Sequence, residues 1–310
     1  MHMNIKQKIF IITLLLIAEI LLPAVSFADA DKIFKENNKA VVVVIAYDEK
    51  NQPISQGSGF IVRQDGAIVT NYHVISNASN IAVKTGDKVL EVEGFLYTDK
   101  ENDLVILKAK GKNLPTVRIG DTNAINIGEK VYVISSPEGF ENTISDGLLS
   151  GIREVTPQKK ILQITAPVSS GSSGGPVFNK NSEVIGIATF LIKGAQNLNF
   201  AMPVESIKDK ISSKKVTVLK DAGIIDYIKT AGYWFTLGYY YAEAGLYDKA
   251  IEAFTSAIAL DPDDAAAYTN RGVAYEIKGD MGRAISDFQK ACDMGDEGGC
   301  KDLQMALKKR

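Results

Sequence analysis

The sequence predicts a chain of two unlike parts, an all-β body followed by an all-α helical repeat. Three observations carry this. Between Ala40 and Pro203 the apolar residues fall in short runs rich in Val and Ile, punctuated by Gly, Asn, Asp and Pro, the texture of a barrel or sandwich. No segment between those runs has an apolar helical period long enough to join parallel strands. From Ala231 the chain turns helical and repeats itself every 34 residues.

The 310 residues leave room for about two domains. Hydrophobic residues make up 45% and charged residues 23%, an ordinary globular balance. The net charge of -2, without a long basic run, argues against a nucleic-acid partner.

Lys6 and Lys8 precede an apolar run, Ile9 to Ala18, which resumes at Ile20-Leu21-Leu22 after Glu19. Ser26-Phe27-Ala28 then supplies small residues for a signal-peptidase cut after Ala28. The run is short for a membrane span, and Glu19 would be costly at its centre. The expectation is an exported protein, periplasmic or secreted, with membrane contact only where this segment stays uncleaved as an anchor.

Residues 31–39 read as a short polar helix. The strand-like runs follow: Val41 to Tyr47, Gly59 to Val62, Ala67 to Thr70, Leu104 to Leu107, Val131 to Ile134, Ile161 to Ile164 and Val184 to Ala188. Asp65-Gly66, Gly86-Asp87, Gly120-Asp121 and Pro137-Glu138-Gly139 mark turns between them. Residues 204–212 and 219–230 read as helical, joined by a charged connector from Ser212 to Lys220. The boundaries expected are 1–28 for the signal segment, 29–212 for the β domain, 213–230 for a linker and 231–310 for the repeats.

In the repeats, Gly238 matches Gly272, Tyr241 matches Tyr275, Gly245 matches Gly279, Ala250 matches Ala284 and Phe254 matches Phe288. The units are 231–264 and 265–298, and an amphipathic helix from Glu297 to Lys308 caps them. This pattern resembles the tetratricopeptide repeat. The first unit carries Trp234, Leu237, Gly238, Tyr241, Ala250, Phe254, Ala257 and Pro262 in the places that family asks for; in the second, Arg271 replaces the leucine and Asp296 the proline. By the resemblance, the inward face of the array includes Phe235, Tyr239, Ala242, Glu243, Thr269, Val273, Glu276 and Ile277. It either takes apolar peptide segments or a protein partner, or it packs against the β domain.

Three short motifs carry chemistry. Thr70-Asn71-Tyr72-His73-Val74 supplies the only histidine left once His2 is lost with the signal segment. Asn102-Asp103-Leu104-Val105 places a carboxylate at the start of an apolar strand, and Gly171-Ser172-Ser173-Gly174-Gly175-Pro176 supplies a serine in a glycine-rich turn. A serine hydroxyl becomes a useful nucleophile only beside a base that is itself oriented by a third group. The chain order His, Asp, Ser is that of the chymotrypsin fold and differs from the subtilisin and α/β-hydrolase orders.

Together with Gly57-Ser58-Gly59-Phe60 and Asn197-Leu198-Asn199-Phe200-Ala201-Met202-Pro203, these segments resemble the HtrA-type trypsin-like serine proteases over roughly residues 35 to 210. The resemblance implies two packed six-stranded barrels with the site at their junction. It implies Ser173 as nucleophile, His73 as base, Asp103 as orienting acid, and the amides of Gly171 and Ser173 as the oxyanion hole. The reaction implied is peptide-bond hydrolysis without metal or organic cofactor, on unfolded or extended polypeptides, by an enzyme that is often a homo-oligomer. Pro167 then stands at the floor of the specificity pocket where an acid would select Lys or Arg. Thr189, Phe190 and Leu191 border the pocket and add a strand to the substrate. The resemblance also implies a helix-linking disulfide between Cys292 and Cys300, the chain's two cysteines. Two small buried thiols are the alternative there, and a catalytically silent scaffold acting through its repeats is the alternative for the whole chain.

Overall fold

The computed structural model describes residues 24–136, 142–156, 159–169, 171–191, 199–219 and 229–308. Residues 220–228 of the helix expected at 219–230 and most of the signal segment lie outside them. Helix α1 (Ala24–Asn37) starts earlier than the 31–39 expected, runs through position 28, and ends in a 3-10 turn at Asn38–Ala40. It buries Ile33 completely in the core that the two barrels share.

The first barrel is built from β1 (Val41–Tyr47), β2 (Pro53–Arg63), β3 (Ala67–Asn71), β4 (Asn80–Thr85), β5 (Lys88–Asp99) and β6 (Leu104–Ala109). The strands run β5-β4-β1-β2-β3-β6, and a β5–β6 pairing closes the ring. The second barrel uses β8 (Lys130–Ser135), β9 (Thr143–Thr156), β10 (Lys159–Ile164), β11 (Pro176–Phe178), β12 (Glu183–Leu191) and β13 (Asn199–Pro203). Its order is β11-β8-β9-β10-β13-β12, closed by β11–β12. Both rings are antiparallel and six-stranded, with a short extra strand on each: β14 (Thr217–Val218) on β5 and the parallel β7 (Arg118–Ile119) on β12. Closure leaves neither six-strand ring an open edge.

Apolar runs such as Leu104 to Leu107 and Val131 to Ile134 are fully buried because both strand faces are covered: Val105, Leu107, Val131 and Val133 fill the barrel interiors, and Leu104, Ile106, Tyr132 and Ile134 enter the core shared between the barrels. Two sequence expectations shift. The connector at 212–220 contains β14, which pairs with Phe95 and Gly94, and the helix expected at 204–212 is the single turn α2 (Glu205–Lys208).

The repeats form five helices: α3 (Ala231–Glu243), α4 (Tyr247–Leu260), α5 (Ala265–Ile277), α6 (Met281–Asp293) and α7 (Glu297–Lys308). Their recurring glycines have two causes: Gly245 and Gly279 take left-handed backbone at φ +72° and +81°, and Gly238 and Gly272 make room for a ring. A Cβ on Gly238 would lie 2.7 Å from the Phe254 ring, and one on Gly272 would lie 2.6 Å from the Phe288 ring. Each of these two lets paired helices close over an aromatic residue. Asp264 and Asp280 cap α5 and α6 by accepting from the amides of Ala267 and Arg283. The second unit's Arg271 forks onto Asp287 with two bonds of 2.8 Å, between the rings of Tyr268 and Tyr275. Cys292 and Cys300 are joined as a disulfide with Cα atoms 4.4 Å apart, tying α6 to α7.

The repeats pack on the barrels. Tyr240 stacks on Phe200 of β13 with ring centroids 4.5 Å apart, and Phe235 and Tyr240 belong to the same buried cluster as Phe60, Leu104 and Phe200. The Tyr239 hydroxyl donates to the Glu154 carbonyl at 3.4 Å, and Glu243 pairs with Arg153 at 3.3 Å. The first-helix half of the inward face therefore meets the β9–β10 hairpin. Of the rest, Thr269 donates to Asp296, Val273 packs on the α5–α7 core, and Ile277 is 54% exposed.

Candidate active site

His73 sits in a 3-10 turn, Tyr72–Ile75, which takes over where β3 ends, rather than in a strand. Its ring stands beside Asp103, with Nδ1 to Oδ2 at 2.6 Å. A carboxylate only accepts, so this bond places the Nδ1 proton toward Asp103.

Asp103 is the last residue of a turn, not the first of a strand. Its φ of +56° is left-handed, a region that Asp and Asn tolerate better than most side chains, and β6 begins one residue later. The turn aims every polar atom of the residue inward. Its carbonyl accepts from the Tyr72 amide at 3.0 Å and from Asn71 Nδ2 at 2.9 Å. Its carboxylate accepts from the His73 amide at 2.8 Å, the His73 ring, and the Thr189 hydroxyl at 3.2 Å. At 3% exposure the acid is sealed from solvent, and these donors compensate its lost hydration.

Ser173 lies in the loop between β10 and β11. Its hydroxyl donates to the Thr189 carbonyl at 2.9 Å, and its own carbonyl accepts from the Ser58 amide at 2.8 Å. Gly174 and Gly175 fasten the loop to barrel 2 through Gly174 N to Ala188 O at 2.7 Å and Ala188 N to Gly175 O at 2.8 Å. Gly174 has φ +86°, and a Cβ there would fall 2.2 Å from the Ser58 carbonyl. Gly174 is thus required by contact with barrel 1, while a Cβ on Gly175 would fall 2.9 Å from the Ile134 carbonyl of barrel 2. Ser172 points the other way: it is buried, 3.0 Å from the Ser135 hydroxyl, and accepts from the Ser169 amide. Among the hydrogen bonds of the described residues, the amides of Gly171 and Ser173 have no acceptor.

One residue that the sequence did not single out, Ser58, and one whose role it did not foresee, Thr189, organise this loop. Ser58 donates its hydroxyl to the Gly171 carbonyl at 2.7 Å and accepts from the Ser136 amide at 3.0 Å. Thr189, expected only as a pocket residue, sits at a β-bulge where the β12–β13 register shifts between Ala188 and Phe190. The bulge turns its hydroxyl to Asp103 and its carbonyl to Ser173. Gly57 next to Ser58 was the available signal, since a Cβ there would lie 2.9 Å from the Ser173 carbonyl.

The expected pocket residues are partly placed. Pro167 is exposed, and its carbonyl accepts from the Ser145 hydroxyl at 2.7 Å. The backbones of Phe190 and Leu191 pair with Phe200 and Asn199 of β13. No cluster of metal-ligating side chains occurs among the described residues. No helix among them is long and apolar enough to cross a membrane.

Comparison with known proteins agrees with this architecture. The trypsin-like peptidase domain profile matches residues 57–187, and a tetratricopeptide repeat profile matches 235–298. A Pseudomonas putida protein named "probable periplasmic serine endoprotease DegP-like" is 37% identical over 164 residues, which are 51% of this chain and 34% of that one. One of the same name from Hahella chejuensis is 34% identical over 177 residues, covering 55% of this chain and 37% of its own. The chain thus spans about a third of the length of these relatives. The crystal structure of the serine endoprotease from Yersinia pestis superposes with a TM-score of 0.52 at 28% identity, covering 59% of this chain and 66% of that one. A protease from M. tuberculosis in its active form shares the fold, with a TM-score of 0.53 over 60% of this chain and 86% of its own at 22% identity. This chain carries a trypsin-like peptidase domain homologous to the DegP/HtrA serine endoproteases, followed by tetratricopeptide repeats.

Proposed function

We propose that the protein is an exported serine endopeptidase that cuts extended polypeptides with Ser173, His73 and Asp103. The observation that carries this reading is Thr189, which touches Asp103 through its hydroxyl and Ser173 through its carbonyl. One residue of barrel 2 thereby touches both the acid of barrel 1 and the alcohol of the glycine turn, and that acid is bonded to the His73 ring.

The chemistry follows the serine-protease template. The Ser173 hydroxyl turns from the Thr189 carbonyl to His73 Nε2, which takes its proton as the oxygen attacks the scissile carbonyl. Asp103, bonded to Nδ1, holds the ring and offsets the positive charge of the imidazolium. The amides of Gly171 and Ser173 receive the oxyanion. His73 then gives its proton to the leaving amine, and water repeats the sequence to release the acyl group. Asp103 keeps its charge throughout.

Substrate would lie along residues 189–191 as an added strand. With Pro167 in place of an acid, small or aliphatic side chains before the cut are favoured over Lys and Arg. The periplasmic relatives and the basic-apolar leader support export, with a role in quality control or processing of exported proteins. The repeats recruit substrate or a partner through the part of their surface that the barrels leave open, where Ile277 lies.

A fluorophosphonate probe on the full chain tests the assignment. Labelling lost in Ser173→Ala and kept in Ser172→Ala is the expected result, and the reverse pattern overturns it. Digestion of an unfolded protein, with the cuts mapped by mass spectrometry, then reads the side-chain preference. A silent scaffold is favoured by one observation, the engagement of the Ser173 hydroxyl at Thr189. Absent labelling with retained polypeptide binding would establish that reading instead.

A further inference from the structure

Lys159 begins β10, and its side chain leaves barrel 2. The ammonium donates to the Glu101 carbonyl at 2.7 Å and to the Thr236 hydroxyl at 3.2 Å. Glu101 lies in the turn that ends at Asp103, and Thr236 is a buried residue of α3. One side chain thus joins barrel 2, the turn that delivers the acid, and the first repeat helix.

The surroundings explain a cation there. Burial pulls the Lys159 pKa below the lysine norm, while Asp103, Asp99 and Glu101 pull it back up. The other charged or titratable groups on the packed elements are Lys100 in the same turn, Lys160 next to it on β10, and Tyr233, Tyr239, Tyr240, Tyr241 and Glu243 of α3, of which Tyr239 and Glu243 engage Glu154 and Arg153. Tyr233 and Tyr240 are held protonated above their usual range, first by burial and in part by the negative charge of Asp103. The helix therefore shares the electrostatic field of the acid. The turn ends in a left-handed residue, φ +56°, whose own bonds run to β3, the His73 turn and Thr189; Lys159 adds a tie to the turn's backbone one position earlier than Asn102.

We propose that Lys159 is a positioning residue for the Asp103–His73 pair, and that through it docking of the first repeat helix and order of the triad are one coupled event. This rests on the endopeptidase reading above.

The test uses the full chain as wild type, Lys159→Met, Lys159→Arg and Thr236→Val. It measures kcat and KM separately, the pH profile of kcat/KM, thermal melting, and the proton resonance of His73 Nδ1–H. Lys159→Met should lose kcat on the order of 10- to 100-fold, the scale of a slightly misplaced catalytic group, with KM within about twofold. Its acid limb should move to higher pH, because removing a cation favours the imidazolium. The Nδ1–H resonance should move or broaden. Lys159→Arg should restore both the acid limb and most of kcat. Thr236→Val should lose less kcat, with the acid limb in place.

A folded Lys159→Met with wild-type kcat, acid limb and resonance overturns the proposal. Should Lys159→Met fail to fold, Thr236→Val decides, and wild-type kcat and resonance there overturn it. A wild type with no turnover sinks the endopeptidase reading alone. The resonance then decides the positioning role, and one unmoved by Lys159→Met overturns it.

Discussion

Ser58→Ala is the most informative single change, because Ser58 touches the nucleophile loop without taking part in the chemistry. The residue is fully buried, and its hydroxyl holds the Gly171 carbonyl at 2.7 Å and the Ser136 amide at 3.0 Å. Deleting the hydroxyl strands one part-buried acceptor and one buried donor. Each unsatisfied group costs about 1–3 kcal/mol, and partial relaxation of the loop puts the expected loss of stability near 2–3 kcal/mol. The effect on rate comes from elsewhere. The Gly171 carbonyl belongs to the peptide between the two proposed oxyanion amides, so a loosened peptide misaims at least one of them. Loss of one such donor lowers turnover on the order of 100- to 1000-fold. A peptide assay should show the fall in kcat, with KM little changed, well below the denaturation midpoint. Fluorophosphonate labelling should slow in parallel. Full kcat in a folded Ser58→Ala would refute the claim that this hydroxyl sets the loop.

Three other outcomes follow from the structure. Reduction of the exported protein, or Cys292→Ala with Cys300→Ala, should loosen α7. Closing so short a loop removes about 2–3 kcal/mol of unfolded-chain entropy, so the melting temperature should fall, and free-thiol counting before reduction should find none. Arg271→Leu alone should cost about 3–5 kcal/mol, because it leaves the buried Asp287 unpaired. Adding Asp287→Ala recreates the Leu237 and Ala253 of the first unit and should recover most of that loss in a denaturant titration. Tyr97 and Tyr239 are each pushed up to about 12, by burial first and then by the charges of Asp99 and Glu243. The unfolded tyrosines release their protons near 10 while the folded ones hold them, so stability is full below pH 10 and falls between 10 and 12. Tyr239→Phe should make that alkaline loss smaller, as followed by circular dichroism.

What the sequence revealed and what it hid divide along one line, the distance over which a residue acts. Strands such as β1 and β6 were legible because their apolar runs are continuous. The polar β9, with Ser145, Asp146 and Ser150 along it, and β5, with Glu91 and Glu93, carry one wet face and were missed. His73, Asp103 and Ser173 stood out because each sits in its own local motif, and the glycines after Ser173 announced a constrained turn. Ser58 acts across 113 positions and Lys159 across 77 to Thr236. Thr189 owes its two contacts to a bulge that no propensity marks. Such roles come from strand register, which emerges only when both rings close. The repeat was readable from its 34-residue period, but the share of its inner face taken by the hairpin was not, because nothing local to Tyr239 or Glu243 names Arg153 or Glu154 as partners.

The stacking of Tyr240 on Phe200 bears on how this chain can be cut and recombined. A fragment ending near residue 212 would bare the flank of β13 together with the aromatic ring now roofed by α3, and it should clump in solution instead of behaving as a free-standing protease. Grafting a different recruitment module onto the same barrels would meet the same difficulty unless the graft brought its own roof.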